Sequence, residues 1–177
     1  AELLKDSGNG KKSAVVINSL KDSKVDQDRD EGFLTQIKEL IPEIEVLKTM
    51  NVENDLTVTE EKLSELISVT EGILCVFADN DQTGIGAARA VRKMQARDRV
   101  YAVAFDSAEE EISAVEKGDL KGIIVQNPFK MGYEGVKMAR DAVHGLQIER
   151  SVDTGAEIVT KDNMNEPSVQ KLLYPNR

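Results

Sequence analysis

Four side chains stand where strand-like runs give way to polar residues or near the start of a helix, and their types suit one kind of chemistry. Asn80 follows the apolar run Val76-Phe77-Ala78, Asp106 follows Val100 to Phe105, and Gln126 closes Gly122-Ile123-Ile124-Val125. Arg29 lies four residues before Phe33, on the same face of a predicted helix and at its first turn. An arginine fork donates paired hydrogen bonds to adjacent hydroxyls or a ring oxygen, a carboxylate accepts from hydroxyls through both oxygens, and Asn and Gln do both. The set fits reversible capture of a small polyhydroxyl ligand. Hydrogen bonds to charged groups contribute roughly 1.5–3 kcal/mol each, so a few of them support about micromolar binding, which needs ~8 kcal/mol.

The elements that must position these residues alternate. Strand patterns near 13–18, 44–49, 73–78, 100–105 and 122–126 are separated by helical patterns, which predicts an α/β fold, a doubly wound parallel five-stranded Rossmann-like lobe. In such sheets ligands bind at the carboxyl ends of the strands, where Asn80, Asp106 and Gln126 fall. Asp26 is placed to cap the first helix, with Phe33, Ile37, Leu40 and Ile41 at helical spacing before Pro42. Leu63, Leu66 and Ile67 mark a second helix, and Ile85, Ala88, Val91 and Met94 a third that opens on Thr83-Gly84-Ile85-Gly86. Beyond 126 a long helix near 129–144 is followed by one strand-like run, 152–160, and a short helix. That run has no evident partner strand, so it is expected to join a sheet lying elsewhere.

Composition narrows the function. The 177 residues are 40% hydrophobic, enough for a core, and carry a net charge of -9 without a Lys/Arg stripe, which argues against nucleic acid as a partner. The single Cys75 lies in an apolar strand and reads as a small buried hydrophobe. No run approaches a membrane span of ~20 apolar residues, and the opening Ala1-Glu2-Leu3-Leu4-Lys5 lacks a signal-peptide core, so any export signal is expected to have been removed. Catalytic patterns are missing: Asn18-Ser19-Leu20-Lys21 replaces a Gly-x-Gly-x-x-Gly after the first strand, and the lone His144 forms no Ser/His/Asp or Cys/His set. Soft metal ligands are missing too, so no enzyme, cofactor or metal is expected. A phospho-receiver domain shares the alternation, but the acidic pair after the first strand and the closing lysine are lacking.

Structural roles compete for several of these residues. Arg29 by itself reads as a solvated helix charge, Asp79 and Asp81 as caps of the following helix, and Asp106 as a turn residue before Ser107. Asn127-Pro128 reads as a hinge and helix start, and His144 as a helix-end residue suited to the dipole.

Five motifs in order carry a resemblance over nearly the whole chain: Arg29-Asp30-Glu31-Gly32-Phe33, Phe77-Ala78-Asp79-Asn80-Asp81, Phe105-Asp106, Gln126-Asn127-Pro128 with Met131-Gly132, and Val159-Thr160-Lys161-Asp162-Asn163. The chain resembles the C-terminal part of a type 1 periplasmic sugar-binding protein of the ribose- and galactose-binding group, related to the effector domains of LacI-type regulators. The resemblance implies two Rossmann-like lobes joined by three crossovers, with a sugar closed between them. It implies that residues 1–127 are the C-terminal ligand-binding lobe, that 128–160 is a helix-strand segment belonging to a missing first lobe, and that 161–177 is a hinge-region tail. Arg29, Asn80, Asp106 and Gln126 fall at the family's ligand-contacting positions. The implied function is non-catalytic capture of a monosaccharide or polyol for an ABC-type importer. The partners are the sugar, the membrane permease and, for this fragment, a second copy of itself. The implied location is extracytoplasmic, periplasmic or lipid-anchored. An effector domain of a transcription regulator is the alternative, which the tail Val159 to Asn163 with Glu166-Pro167 disfavours. The loop 51–56 departs from the pattern, since it offers no aromatic ring to stack on a sugar.

Overall fold

The computed structural model describes residues 11–175. Its elements are β1 (Lys12–Asn18), α1 (Lys24–Leu40), β2 (Glu45–Val46), β3 (Met50–Asn51), α2 (Leu56–Val69), β4 (Ile73–Ala78), α3 (Asp81–Lys93), β5 (Val100–Phe105), α4 (Glu109–Lys117), β6 (Gly122–Gln126), α5 (Pro128–Val143), β7 (Ala156–Val159) and α6 (Pro167–Leu173). One sheet runs in the order β2-β1-β4-β5-β6-β7, with β3 also paired to β1. The predicted strand at 44–49 is two short pieces, β2 against Ser13 and Ala14 and β3 against Ile17 and Asn18, so a single interrupted edge lies along β1.

Alternating side chains send β1, β4 and β5 residues to opposite faces. Val15, Ile17, Leu74, Val76, Ala78, Val100, Ala102 and Ala104 pack under α2, α3 and α4, whereas Ala14 and Cys75 face Ile37 and Ile41 from the α1 side. Helices on both faces of a mostly parallel sheet make the doubly wound lobe that the sequence predicts. The ring of Phe33 stacks on Phe77 with centroids 4.9 Å apart, which fixes α1 across β4. Burial in this layer pushes the Cys75 thiol up to about 11, so it stays a neutral packing group. On the other face α3 fits because Gly84 and Gly86 have no side chains. A Cβ at Gly86 would come within 2.6 Å of Thr59 Cβ and 2.7 Å of the Leu56 carbonyl oxygen.

β7 corrects one expectation. It pairs antiparallel with β6, Ile123 opposite Val159 and Gln126 opposite Ala156, so the run is a sheet-edge strand of this same lobe. Val159, Met164, Val169 and Leu173 enter the main core, and the tail is thereby clamped to the lobe. α5 differs, because none of its residues is buried. Among the described residues no helix is long and apolar enough to cross a membrane.

Candidate functional site

The parallel strands β1, β4, β5 and β6 deliver their carboxyl ends to one edge of the sheet, and the loops leaving them hold the polar residues. α1 closes that edge on one side. Its N-cap is Ser23, whose Oγ accepts from the Asp26 amide at 3.3 Å, and not Asp26 as expected. Asp26 turns inward instead and accepts from Ser19 Oγ at 2.8 Å. With the helix starting at Lys24, Arg29 lies in its second turn, one turn later than the sequence suggests.

The Arg29 guanidinium reaches across two strands. Nη1 donates to the Asp79 carbonyl oxygen at 2.7 Å, and Cζ lies 3.7 Å from the centroid of the Phe105 ring. A cation over a ring face gains roughly 0.5–2 kcal/mol, and the contact holds the fork flat. Five N–H donors with one engaged by Asp79 leave several for a ligand.

Asp106 and Gln126, which the sequence delivers to one sheet edge, are also in contact. Gln126 Nε2 donates to Asp106 Oδ1 at 3.1 Å, across the β5–β6 neighbours. Asp106 has φ +85°, a left-handed conformation that costs a non-glycine residue free energy and aims the carboxylate away from the strand line. Its backbone N–H still donates to the Ile124 carbonyl at 2.9 Å, so the turn is anchored on both sides. The pair offers Asp106 Oδ2 as an acceptor and the Gln126 amide as both donor and acceptor.

Asn80 is held more firmly than the other three. It is the N-cap of α3: its Oδ1 accepts from the Thr83 amide at 3.0 Å while its own N–H donates to Thr83 Oγ1 at 3.1 Å, a reciprocal capping box. Its Nδ2 donates to Asn54 Oδ1 at 2.7 Å, leaving one amide N–H. The cap expected of Asp79 or Asp81 therefore belongs to Asn80, the residue with extended backbone just before the helix. Asp81 Oδ1 accepts from the Gln82 amide. Asp79 is fully buried and points back under β1, accepting from the Ser19 amide at 2.9 and 3.1 Å and from Thr83 Oγ1 at 3.2 Å. Burial raises its proton affinity, the Ser19 amide opposes this, and neighbouring Asp26 adds to it.

His144 is the C-cap of α5, its Nδ1 2.7 Å from the Arg140 carbonyl oxygen, which agrees with a helix-end role. Asn127 caps the start of α5 through the Lys130 amide.

Sequence reasoning missed three contributors. Phe105 reads as a strand apolar residue, yet its ring is the shelf under Arg29. Its place one residue before Asp106, at the mouth of a strand, is the signal that was available. Asn54 supports Asn80 from a loop with no distinguishing pattern, and Asp79, which the sequence offers only as a cap within the Phe77 to Asp81 motif, supports Arg29 through its carbonyl oxygen.

The family model described as a periplasmic binding protein domain matches residues 1–147. The chain belongs to the periplasmic binding protein family. Similar members include the ribose import binding proteins RbsB of Haemophilus influenzae, 27% identical over 135 residues that cover 76% of this chain and 45% of the relative, and of Salmonella typhimurium, 26% identical over 159 residues that cover 90% and 52%. Among solved structures, a carbohydrate transporter solute-binding protein from Agrobacterium radiobacter in complex with D-arabinose is 30% identical, with TM-score 0.89, covering 97% of this chain and 58% of that one. An ABC transporter solute-binding protein from Agrobacterium vitis bound with α-D-tagatopyranose is 28% identical, with TM-score 0.85, covering 93% and 55%. The periplasmic binding protein chain described here thus spans about half the length of the relatives it matches.

Proposed function

We propose that this chain forms one wall of a sugar-binding cleft in a non-catalytic, extracytoplasmic solute-binding protein that supplies a monosaccharide or related polyol to the permease of an ABC importer. The observation that carries the reading is the joint placement of Arg29 over Phe105 and of Asp106 against Gln126 on one sheet edge. This is a fork of donors beside a ring shelf and a carboxylate, with Asn80 at the next strand end. Relatives named for ribose import and solved neighbours holding D-arabinose and tagatopyranose support it.

The second wall is a first lobe, in keeping with the half-length match to relatives. α5 packs against that lobe in this reading, since its exposed Phe129, Tyr133, Val136 and Val143 have no cover here. One wall alone holds a sugar at millimolar strength at best, because affinity comes from contacts on both sides and from water expelled on closure.

The test is calorimetric titration of the two-lobed protein with pentoses, hexoses and polyols. Arg29→Ala and Asp106→Ala are each expected to weaken binding by about 2–4 kcal/mol, since each leaves ligand hydroxyls unpaired in a closed cleft. His144→Ala leaves affinity unchanged. Unaltered affinity in both of the first two variants removes those residues from the site, and no heat with any sugar removes the function.

A further inference from the structure

Asn18, the last residue of β1, and Asp30, in the second turn of α1, are both buried and face each other at the edge that holds Arg29. Asn18 Nδ2 donates to Asp30 Oδ2 at 2.7 Å. The other two oxygens, Asn18 Oδ1 and Asp30 Oδ1, are buried without a hydrogen-bond partner. Two orphaned acceptors on one hydrogen-bonded pair are costly, and a single proton shared between them would correct both. Carried on Asp30 Oδ1 and donated to Asn18 Oδ1, it would close a second bond to complement the first.

We propose that Asn18 and Asp30 form a proton-dependent acid–amide pair that positions the Arg29 guanidinium, so that ligand capture tightens as the medium becomes more acidic. The positioning role rests on the sugar-binding reading above; the pair itself does not. The charged groups around it point the same way. Asp26 on the same helix and Asp79 at the end of β4 are both carboxylates that disfavour a further negative charge. The end of β1 contributes neutral Asn18 and the next residue neutral Ser19, and the Arg29 guanidinium is engaged by the Asp79 carbonyl and the Phe105 ring. Burial above all, with Asp79 and Asp26 adding to it and the Asn18 bond opposing it, lifts the Asp30 carboxyl to about 6. Since the folded-state value is raised, the stabilisation is complete below the ordinary aspartate range and is lost as pH rises through about 6. Ionised Asp30 leaves a buried charge facing the Asn18 oxygen. The second turn of α1 then loosens, and Arg29 is the adjacent residue on it.

Three measurements test this. Carbon NMR of the Asp30 carboxyl in this chain, without sugar, is expected to titrate about two units above an ordinary aspartate; a midpoint near 4 overturns the pair. Asp30→Asn replaces the acid by an amide that donates to Asn18 Oδ1 and accepts from Asn18 Nδ2, a mimic of the protonated form. Its melting temperature is expected to match or exceed the parent's at pH 7, and its decline between pH 5 and 7 to be shallower than the parent's. A lower melting temperature at pH 7 overturns the pair, and if the variant does not fold the titration of the parent still decides. In the two-lobed protein, sugar affinity is expected to be about three- to tenfold tighter at pH 5 than at pH 8, by the reciprocity between proton and ligand binding, and flat in Asp30→Asn. Equal affinity at both pH values in the parent overturns the positioning role. Absence of sugar binding at every pH overturns the sugar-binding reading and leaves the pair to be judged by its titration.

Discussion

α3 and α5 carry the same kind of sequence and meet opposite fates. Both place apolar residues on one helical face, Ile85, Ala88 and Val91 in α3 and Phe129, Tyr133, Val136 and Val143 in α5. In α3 eight residues are buried between the sheet, α2 and α4, whereas in α5 none is. An amphipathic pattern states that a face must be covered but not by what. The glycines carry the same contrast. Gly84 and Gly86 of α3 have neighbours closer than a Cβ permits, while Gly132 and Gly135 of α5 have nothing within 4 Å.

The largest effect expected on the α3 side comes from Glu111, which packs against it from α4. Its Oε2 accepts from the Ala108 amide at 2.9 Å, while its Oε1 is buried without a partner and would sit 2.2 Å from a Cβ at Gly84. Burial, with Asp106 and Asp81 adding to it and the Ala108 bond opposing it, lifts the carboxyl to about 8. The stabilisation is therefore complete below the ordinary glutamate range and lost as pH rises through about 8. Unfolding free energy measured in urea should fall with a slope of up to about 1.4 kcal/mol per pH unit between pH 6 and 8. Glu111→Gln should flatten that slope, and an unchanged slope would assign the titration to another group.

Gly86→Ala comes next. The added methyl meets Thr59 Cβ and the Leu56 backbone oxygen, which cannot swing aside as a long side chain can. A loss of about 1–3 kcal/mol is expected from forcing α2 and α3 apart. A neutral outcome in denaturant titration would mean that the helix pair is looser than its buried face implies.

The strands were legible because each is an apolar run that ends abruptly in polar residues, as Val76-Phe77-Ala78 does before Asp79. β7 was not. Ala156-Glu157-Ile158-Val159 buries only Val159, and its partner β6 lies some thirty residues away, so nothing local marks the pairing. At the site, Asp106 and Gln126 could be paired from their strand ends alone. The division of labour among Asp79, Asn80 and Asp81 could not, because three adjacent residues are all competent caps and the backbone direction at the end of β4 chooses among them. Phe105 was visible as a strand residue, but its use as a shelf for Arg29 depends on where α1 crosses the sheet.

Smaller effects belong to α5. Gly132→Ala and Gly135→Ala remove a helix-interior glycine from open space, so each should stabilise this chain by roughly 0.5–1 kcal/mol. In the two-lobed protein the sign is expected to reverse at whichever of the two faces the first lobe, because a Cβ there meets a neighbour. Thermal melts of both forms check it, and a gain of the same size in both would show that the first lobe does not press on this helix.

The smallest effect expected on stability is the most informative about α5. Val136 and Tyr133 are 74% and 61% exposed, so Val136→Asp or Tyr133→Ser removes almost no buried area from this chain. Surface changes of this kind stay within about 0.5 kcal/mol, and melting should scarcely move. Association should move. An apolar stripe running from Phe129 to Val143 is exposed, and we propose that it draws this chain into dimers or larger assemblies. Sedimentation is expected to show self-association in the parent and monomer in Val136→Asp. A monomeric parent would leave α5 without a need for cover, and the contrast with α3 would then reflect a helix that tolerates water rather than one awaiting a partner.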